Sequence, residues 1–165
     1  MTNEKKLLEA VSKGNLAVVK ELLEKGVNPN VRDYKGQTPL HAAAESNELE
    51  LAKLLLEYGA DPNIADYEGK TPLHIAAESD LVSYELIKLL LEHGADPNCE
   101  DNKNETPLHK FVSIWRNSPE VAKLLLQYGA TWDVKNYLGK TPPDIAEETN
   151  SDKVFKVLTE YSKNN

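Results

Sequence analysis

A four-residue motif recurs along the chain at a nearly constant interval, and this periodicity constrains the fold more than any other sequence feature. Thr-Pro-Leu-His begins at residues 38, 71 and 106, and a degenerate copy, Thr-Pro-Pro-Asp, begins at residue 141. The starts of the motif are therefore separated by 33, 35 and 35 residues. A fixed period of this length is typical of repeat architectures, in which each unit buries its apolar face against its neighbours. The sequence predicts a solenoid of stacked units.

A second motif, based on glycine, keeps the same phase as the first. Gly-Ala-Asp-Pro-Asn begins at residues 59 and 94, and related segments begin at residues 26 and 129. Thr and Pro suit the N-cap and the first position of a helix, whereas Gly suits the left-handed position after its last turn. Between the motifs, leucines such as Leu51, Leu54 and Leu55 recur at helical spacing. Each repeat is predicted to contain one helix that starts at Thr-Pro and a second that stops at the glycine.

These motifs resemble those of ankyrin repeats, in which T-P-L-H-x-A-A, a leucine-rich second helix and G-A-D-x-N recur about every 33 residues. The resemblance implies an all-α repeat solenoid of paired antiparallel helices with β-hairpin loops. It also implies a single domain over residues 1–165, whose end repeats have each lost one motif, as capping repeats do. The predicted repeats are an N-terminal cap at 4–37, full repeats at 38–70, 71–105 and 106–140, and a C-terminal cap at 141–165.

Composition narrows the classes of partner and compartment. The chain has 19 basic and 27 acidic side chains, a net charge of −8, which argues against binding to nucleic acids or anionic membranes. Its single cysteine, Cys99, cannot form a disulfide within the chain. No apolar stretch approaches the roughly 20 residues that a membrane span requires. We therefore expect a cytoplasmic chain, with a nuclear location as the alternative.

The sequence contains no pattern that predicts catalysis. His41, His74 and His109 occupy equivalent repeat positions. Because packed helices lie about 8 to 10 Å apart, these imidazoles are too far from one another to share a zinc ion. The resemblance gives this histidine a structural hydrogen bond to the next loop. We predict no enzymatic activity, no cofactor and no metal; a small-molecule sensor or an enzyme with an unrecognised pocket is the alternative.

The asparagine of the second motif raises the question of modification. In the eukaryotic members of the family that this chain resembles, the residue can be hydroxylated, and Asn30, Asn63 and Asn98 stand at the position here. An asparagine in a turn readily bonds to neighbouring backbone. We therefore favour a structural role for these residues.

The resemblance implies that another protein binds to a concave surface made by the loop tips and the first helix of each repeat. Residues that vary between repeats on that surface are the candidates for contact. Three of the four tips carry tyrosine, a residue enriched at interfaces. The alternative is that each ring only covers its own hairpin. The candidate tip residues are Tyr34, Lys35, Tyr67, Glu68, Asn102, Lys103, Tyr137 and Leu138.

The far ends of the first helices supply further candidates. Their acidic side chains, with Glu48 and Asp80 nearby, predict a partner with a basic or mixed-charge surface. The candidates at these helix ends are Glu45, Ser46, Glu78, Ser79 and Ser113.

The two 35-residue repeats each carry two extra residues in the turn between their helices, and both insertions are expected to form one bulge. The second insertion contains Trp115 and Arg116, which are residue types favoured at binding hot spots, before Ser118-Pro119 starts the next helix. The alternative is that Trp115 folds back over its own turn. Trp132, which replaces the proline of the second motif, is a further candidate contact. The other bulge residues are Leu81, Val82, Tyr84, Ile114 and Asn117.

Taken with the resemblance, these features predict a binding module without chemistry of its own. A small chain with a capping repeat at each end suits an adaptor or inhibitor better than a fragment of a large scaffold. We expect a monomer that acts by occupying the surface of its partner.

Overall fold

Ten α-helices, arranged as consecutive pairs, make up the regular structure in the computed structural model, which describes residues 1–114 and 118–165. The predicted bulge residues Trp115, Arg116 and Asn117 lie outside the described residues. We number the predicted repeats unit 1 (4–37), unit 2 (38–70), unit 3 (71–105), unit 4 (106–140) and unit 5 (141–165). The helices are α1 (Asn3–Ser12), α2 (Leu16–Glu24), α3 (Pro39–Glu45), α4 (Leu49–Glu57), α5 (Pro72–Glu78), α6 (Tyr84–Glu92), α7 (Pro107–Ser113), α8 (Glu120–Gln127), α9 (Pro142–Glu148) and α10 (Asp152–Asn164).

The helices form two layers with one continuous core between them. The first helices α1, α3, α5, α7 and α9 contact one another in order, and the second helices α4, α6, α8 and α10 do the same. Small side chains such as Ala43 and Ala76 are buried in the first layer, and leucines such as Leu55 and Leu90 are buried in the second. Because each helix has only one apolar stripe, it must bury that stripe against the other layer. The all-α repeat solenoid predicted from the sequence is confirmed.

The first helices of units 2 to 5 begin as the Thr-Pro motif predicts. In unit 2 the backbone N–H of Thr38 donates to Nδ1 of His41 (3.1 Å), and Pro39 occupies the first helical position. Thr141 makes the corresponding bond to the carboxylate of Asp144 (2.8 Å). The side chain at the third helical position thus satisfies a backbone donor that the helix leaves without a partner.

The turn between paired helices has two forms. Units 1, 2 and 5 use a residue with positive φ: Gly14 (64°), Asn47 (53°) and Asn150 (53°). Units 3 and 4 carry the predicted two-residue insertions, and α5 and α7 are followed by extended residues, Ser79 and Ile114. The first insertion therefore lies in the turn between α5 and α6, as the sequence predicts.

The start of α8 differs from its prediction by one residue. The helix begins at Glu120 with Pro119 at the N-cap, whereas the sequence assigns the cap to Ser118. The Ser118 hydroxyl donates to the Glu120 carboxylate in the first turn of this helix.

Tight turns stand where β-hairpins are expected, and no strand forms in the part of the chain that the structure describes. In the first loop the backbone N–H of Asp33 donates to the Gln37 carbonyl (2.9 Å), and the Asp33 carboxylate accepts from the N–H groups of Lys35 (2.8 Å) and Gln37 (2.9 Å). Together with a bond from the Gly36 N–H to the Asp33 carbonyl (3.0 Å), these contacts fix a turn but do not make a strand ladder. Among the described residues, each helix is also too short or too polar to span a bilayer.

Candidate functional site

Backbone hydrogen bonds join the tips of the four loops into one row. The N–H of Tyr67 donates to the Lys35 carbonyl (3.0 Å), and the N–H of Asn102 donates to the Glu68 carbonyl (2.9 Å). Tyr137 continues the series with a bond to the Lys103 carbonyl (3.0 Å). These bonds hold equivalent tip residues side by side along the stack. We call this set the loop row: Tyr34, Lys35, Tyr67, Glu68, Asn102, Lys103, Tyr137 and Leu138.

The tyrosines of the loop row remain largely exposed. Tyr34, Tyr67 and Tyr137 are 84%, 68% and 58% exposed. The Tyr67 ring lies on the preceding loop, where a Cβ built on Gly36 would be only 2.8 Å from its Cδ1 atom. The guanidinium of Arg32 lies 5.5 Å from the centre of the same ring. Tyr67 therefore packs against the neighbouring loop and still presents most of its surface to solvent.

Asn102 uses its side chain to join two loops. Its Nδ2 donates to the Tyr67 carbonyl (3.0 Å), and its Oδ1 would lie 2.8 Å from a Cβ on Gly69. Although Asn102 is exposed, its amide therefore contributes to the junction between units 2 and 3.

Lysines from the loops and the first helices lie between the loop row and the helix ends. Lys70 Nζ lies 2.9 Å from Glu78 and 3.3 Å from Glu68, so one side chain links a loop to the last turn of α5. Lys140 makes the equivalent contact with Glu148 (2.6 Å). The loop bases and the far ends of the first helices thus lie on the same side of the stack. We call the surface formed by the loop row and these helix ends the inner face.

Lys110 is the most enclosed cation of the inner face among the described residues. Its side chain is 9% exposed, and its Nζ lies 2.5 Å from Glu105, 2.9 Å from Asp101 and 3.9 Å from Glu78. Burial alone would lower the pKa of Lys110, but the hydrogen bonds to Glu105 and Asp101 raise it above its ordinary value. The pKa of Asp101 lies below its ordinary value because hydrogen bonds from Lys110 and the loop backbone outweigh burial. This cluster therefore stays charged and connects units 3 and 4.

Each of the three motif histidines connects the first helix of its unit to the last residue of the same unit, in the loop that leads into the next unit. Nε2 of His41 lies 2.8 Å from the Lys70 carbonyl, that of His74 lies 2.8 Å from the Glu105 carbonyl, and that of His109 lies 3.2 Å from the Lys140 carbonyl. A carbonyl can only accept, so Nε2 carries the hydrogen, and Nδ1 accepts from the N-cap threonine. Burial lowers the pKa of all three histidines, which favours this neutral form.

Cys99 and the motif asparagines have equally local explanations. Burial raises the pKa of the Cys99 thiol to about 11, so it is a poor nucleophile at neutral pH. The amide of Asn63 donates to the Gly94 carbonyl (2.9 Å) and accepts from the Asp96 N–H (2.8 Å). Asn30 and Asn98 make the same pair of bonds to the next unit. In the described part of the chain, no three His, Cys, Asp or Glu side chains group in a way that could hold a metal ion.

Comparison with known proteins agrees with this geometry. The family model described as ankyrin repeats in three copies matches residues 7–101 and 82–165, which is most of the chain. The chain belongs to the ankyrin-repeat family.

Two ankyrin-repeat relatives show how local the sequence similarity is. An ankyrin repeat protein of Pyrobaculum aerophilum is 59% identical over 34 residues, which cover 21% of this chain and 13% of that protein. Ankyrin repeat domain-containing protein 46 of Danio rerio is 50% identical over 38 residues, which cover 23% of this chain and 17% of that protein. The chain thus matches well under two thirds of either relative, in a segment about one repeat long.

In the ankyrin fold, the sequence-predicted contact residues differ in how much of each side chain is exposed to solvent. Glu45, Ser46 and Ser113 are exposed at the helix ends, whereas Glu78 and Ser79 are half-buried. Glu78 is paired with Lys70, so the acidic character expected of the inner face is reduced at this point. Among the predicted bulge residues, Leu81 and Tyr84 are exposed, whereas Val82 and Ile114 are half-buried. Trp115 and Arg116 lie outside the described residues. Trp132 is half-buried against the core.

Sequence reasoning identified Lys35 and Lys103 of this ankyrin inner face but missed Lys70, Lys110 and Lys140. Lys110 occupies the variable position of the Thr-Pro-Leu-His-x motif, which holds Ala42, Ile75 and Ile145 in the other units. A charged residue in an otherwise apolar series is a signal that could have been noticed. The eight-residue spacing of Lys70 and Glu78, repeated by Lys140 and Glu148, is a second one.

Proposed function

We propose that this chain binds a partner protein through its inner face and acts as an adaptor or inhibitor by occupying the partner's surface. Ankyrin repeats are generally protein–protein interaction modules. The observation that carries the proposal for this chain is the loop row, which holds Tyr34, Tyr67 and Tyr137 at equivalent positions with most of each ring exposed.

The rigidity of the loop row supports this proposal. Each tip is fixed by a backbone bond to the next loop and by bonds to its own aspartate or asparagine side chain, such as Asp66 and Asn136. A surface that is already ordered loses less conformational entropy when it binds. Tyrosine adds a large contact area with few rotatable bonds. The row therefore has the properties of a preorganised binding surface.

The finer features of the function follow from the charge and the fold class. We propose a partner with a basic or mixed-charge surface and no role in nucleic-acid or membrane binding, because the net charge is −8. We also propose one domain of five units with capping units at each end, a monomeric state and a cytoplasmic location.

Matched tyrosine variants test the proposed function. The tagged chain is used to capture proteins from an extract of its source cells, and the double variant Tyr34→Ala/Tyr67→Ala is compared with Tyr58→Ala/Tyr128→Ala. The control removes two tyrosines that are 36% and 40% exposed at the ends of the second helices. A partner retained by the wild type and the control but lost by the loop-row variant supports the proposal. A partner that both double variants retain contradicts it.

A catalytic or small-molecule function has less support. Proteins of the ankyrin-repeat family are generally non-enzymatic. The groove of about 330 Å³ between α1 and α2 is lined by charged residues that already pair with each other, including Lys13 with Glu9 (2.6 Å) and Lys25 with Glu21 (2.5 Å). We therefore place the activity in partner binding.

A further inference from the structure

At two places on the inner face, a lysine forms an ion pair with a glutamate eight residues further along the chain. Lys70 Nζ lies 2.9 Å from Glu78 in unit 3, and Lys140 Nζ lies 2.6 Å from Glu148 in unit 5. In each case the lysine ends the loop and the glutamate ends the first helix. These two pairs show that a lysine side chain can bind beside the glutamate that ends the first helix of a unit.

The equivalent glutamate of unit 2, Glu45, has no lysine eight residues before it. Glu45 ends α3 at the position equivalent to Glu78, and Gln37 stands eight residues before it. The Gln37 amide is directed to the next loop, where it donates to the Asp66 carboxylate (3.3 Å). Glu45 is exposed, and it takes part in none of the ion pairs found in the described ranges 1–114 and 118–165. The cation position of this unit is therefore open.

Two further features favour a cation beside Glu45. The carboxylate lies at the C-terminal end of α3, where the helix dipole disfavours a negative charge and favours a positive one. Glu48, three residues further on, is also exposed and adds to the negative potential. The exposed rings of Tyr34 and Tyr67 belong to the loops on either side of α3 in the sequence, so a partner that covers the loop row at this end also reaches the helix.

We propose that a lysine or arginine side chain of the partner protein occupies the open cation position beside Glu45, in place of the chain's own lysine that pairs with Glu78 and with Glu148. This inference rests on the proposed function, because it names the partner chemistry at the same inner face. It assigns recognition to the N-terminal end of that face, which carries the exposed rings of Tyr34 and Tyr67 and the exposed Glu45.

A displayed library of random 16-residue peptides is the probe for this inference. The full chain is used as the target in three forms: wild type, Glu45→Gln, and the matched control Glu57→Gln, which removes the same charge from the exposed side of α4. We expect peptides selected on the wild type and on the control to be enriched in Lys or Arg at one position of their shared motif. Selection on Glu45→Gln should lose that enrichment.

Affinity measurements on one selected peptide then locate the contact. Replacing its conserved cation by Met should weaken binding to the wild type by about three- to tenfold and leave binding to Glu45→Gln nearly unchanged. Gln37→Lys gives a second test, since it supplies an internal cation and should reduce binding to a similar extent. Gln127→Lys makes the same charge change at an exposed residue of α8, and it should not reduce binding of the peptide.

The outcomes separate this inference from the proposed function. If the selected motif and its affinity are the same with Glu45→Gln as with the wild type, the inference is wrong. In that case the proposed function still stands if the peptides lose binding to Tyr34→Ala/Tyr67→Ala. If the peptides bind independently of those tyrosines, or if the wild type selects none, the inner face is not the binding surface and both fail.

Discussion

Units 2 and 3 use the same position of the inner face in different ways. In unit 3, Glu78 pairs with Lys70 and lies 3.9 Å from Lys110 of unit 4. In unit 2 the equivalent Glu45 is exposed, and Gln37 stands at the sequence position that the lysine occupies before Glu78. Position in the repeat alone therefore does not say whether a charge holds units together or is available to a partner. The neighbouring residues decide, since lysines of the chain compensate the charge of Glu78, whereas no ion pair in the described ranges compensates that of Glu45.

The largest expected effect comes from removing the cation that joins units 3 and 4. Lys110→Ala leaves the Asp101 side chain, which is 2% exposed, and the Glu105 carboxylate without their shared partner. Loss of one member of a buried ion pair costs about 3 kcal/mol or more in the free energy of unfolding. Urea unfolding followed by circular dichroism measures this loss. Lys123→Ala, which removes an exposed lysine from α8, should change the free energy by less than about 0.5 kcal/mol.

The next effect compares the two ends of the loop row. Gly36 and Gly139 have similar φ values of 77° and 74°, but only at Gly36 would a Cβ meet a neighbouring ring, at 2.8 Å from Tyr67. Gly139→Ala should cost about 1 kcal/mol for the left-handed backbone. Gly36→Ala carries the same strain and also displaces Tyr67, so we expect a cost of about 2 kcal/mol. Equal melting temperatures for the two variants would show that Tyr67 does not pack on the first loop.

A smaller effect on the free energy of unfolding should depend on pH and should come from the three motif histidines. Burial lowers the pKa of His41, His74 and His109 in the folded chain below the unfolded value, so their stabilising contribution is complete above that value. It is lost as the pH falls from about 6.5 through the lower folded pKa. Urea unfolding at a series of pH values from neutral to mildly acidic measures the effect. His74→Gln should reduce the pH dependence, and a pH dependence equal to that of the wild type would contradict this explanation.

The smallest effect bears directly on the contrast between Glu45 and Glu78. Glu78→Gln removes the carboxylate that Lys70 contacts, and we expect a loss of about 1 kcal/mol because that pair is only partly exposed. Glu45→Gln should change the free energy of unfolding by less than about 0.5 kcal/mol. If the two variants destabilise the chain equally, Glu45 has an internal partner and the contrast between the units disappears.

The sequence predicted those features that depend on neighbouring residues in the chain. Thr-Pro followed by His fixes a helix start locally, so the starts at Pro39, Pro72 and Pro107 follow directly from the motif. The row of tip tyrosines also follows from the repeat period. The start of α8 was one residue off, and the loops expected to be β-hairpins are tight turns without a strand in the described part of the chain.

Features that depend on residues one repeat apart were not predicted. The role of Lys110 is set by Asp101 and Glu105 in the preceding loop and by Glu78, which lies 3.9 Å away in another unit. Pairing of this kind cannot be predicted from the order of charged residues alone, because the sequence does not distinguish an exposed lysine from an enclosed one. The same reason explains why Glu78 was expected to be a free acidic contact.

Site-directed photo-crosslinking tests the central claim, that the inner face binds the partner, most directly. A benzophenone-bearing phenylalanine replaces Tyr34 in one chain and Tyr128 in another, and both are expressed in the source cells and irradiated. Tyr34 is 84% exposed in the loop row, whereas Tyr128 is 40% exposed at the end of α8. We expect a discrete cross-linked protein from position 34 that is absent from position 128. The same cross-linked protein from both positions, or one from position 128 alone, would contradict the assignment of binding to the inner face.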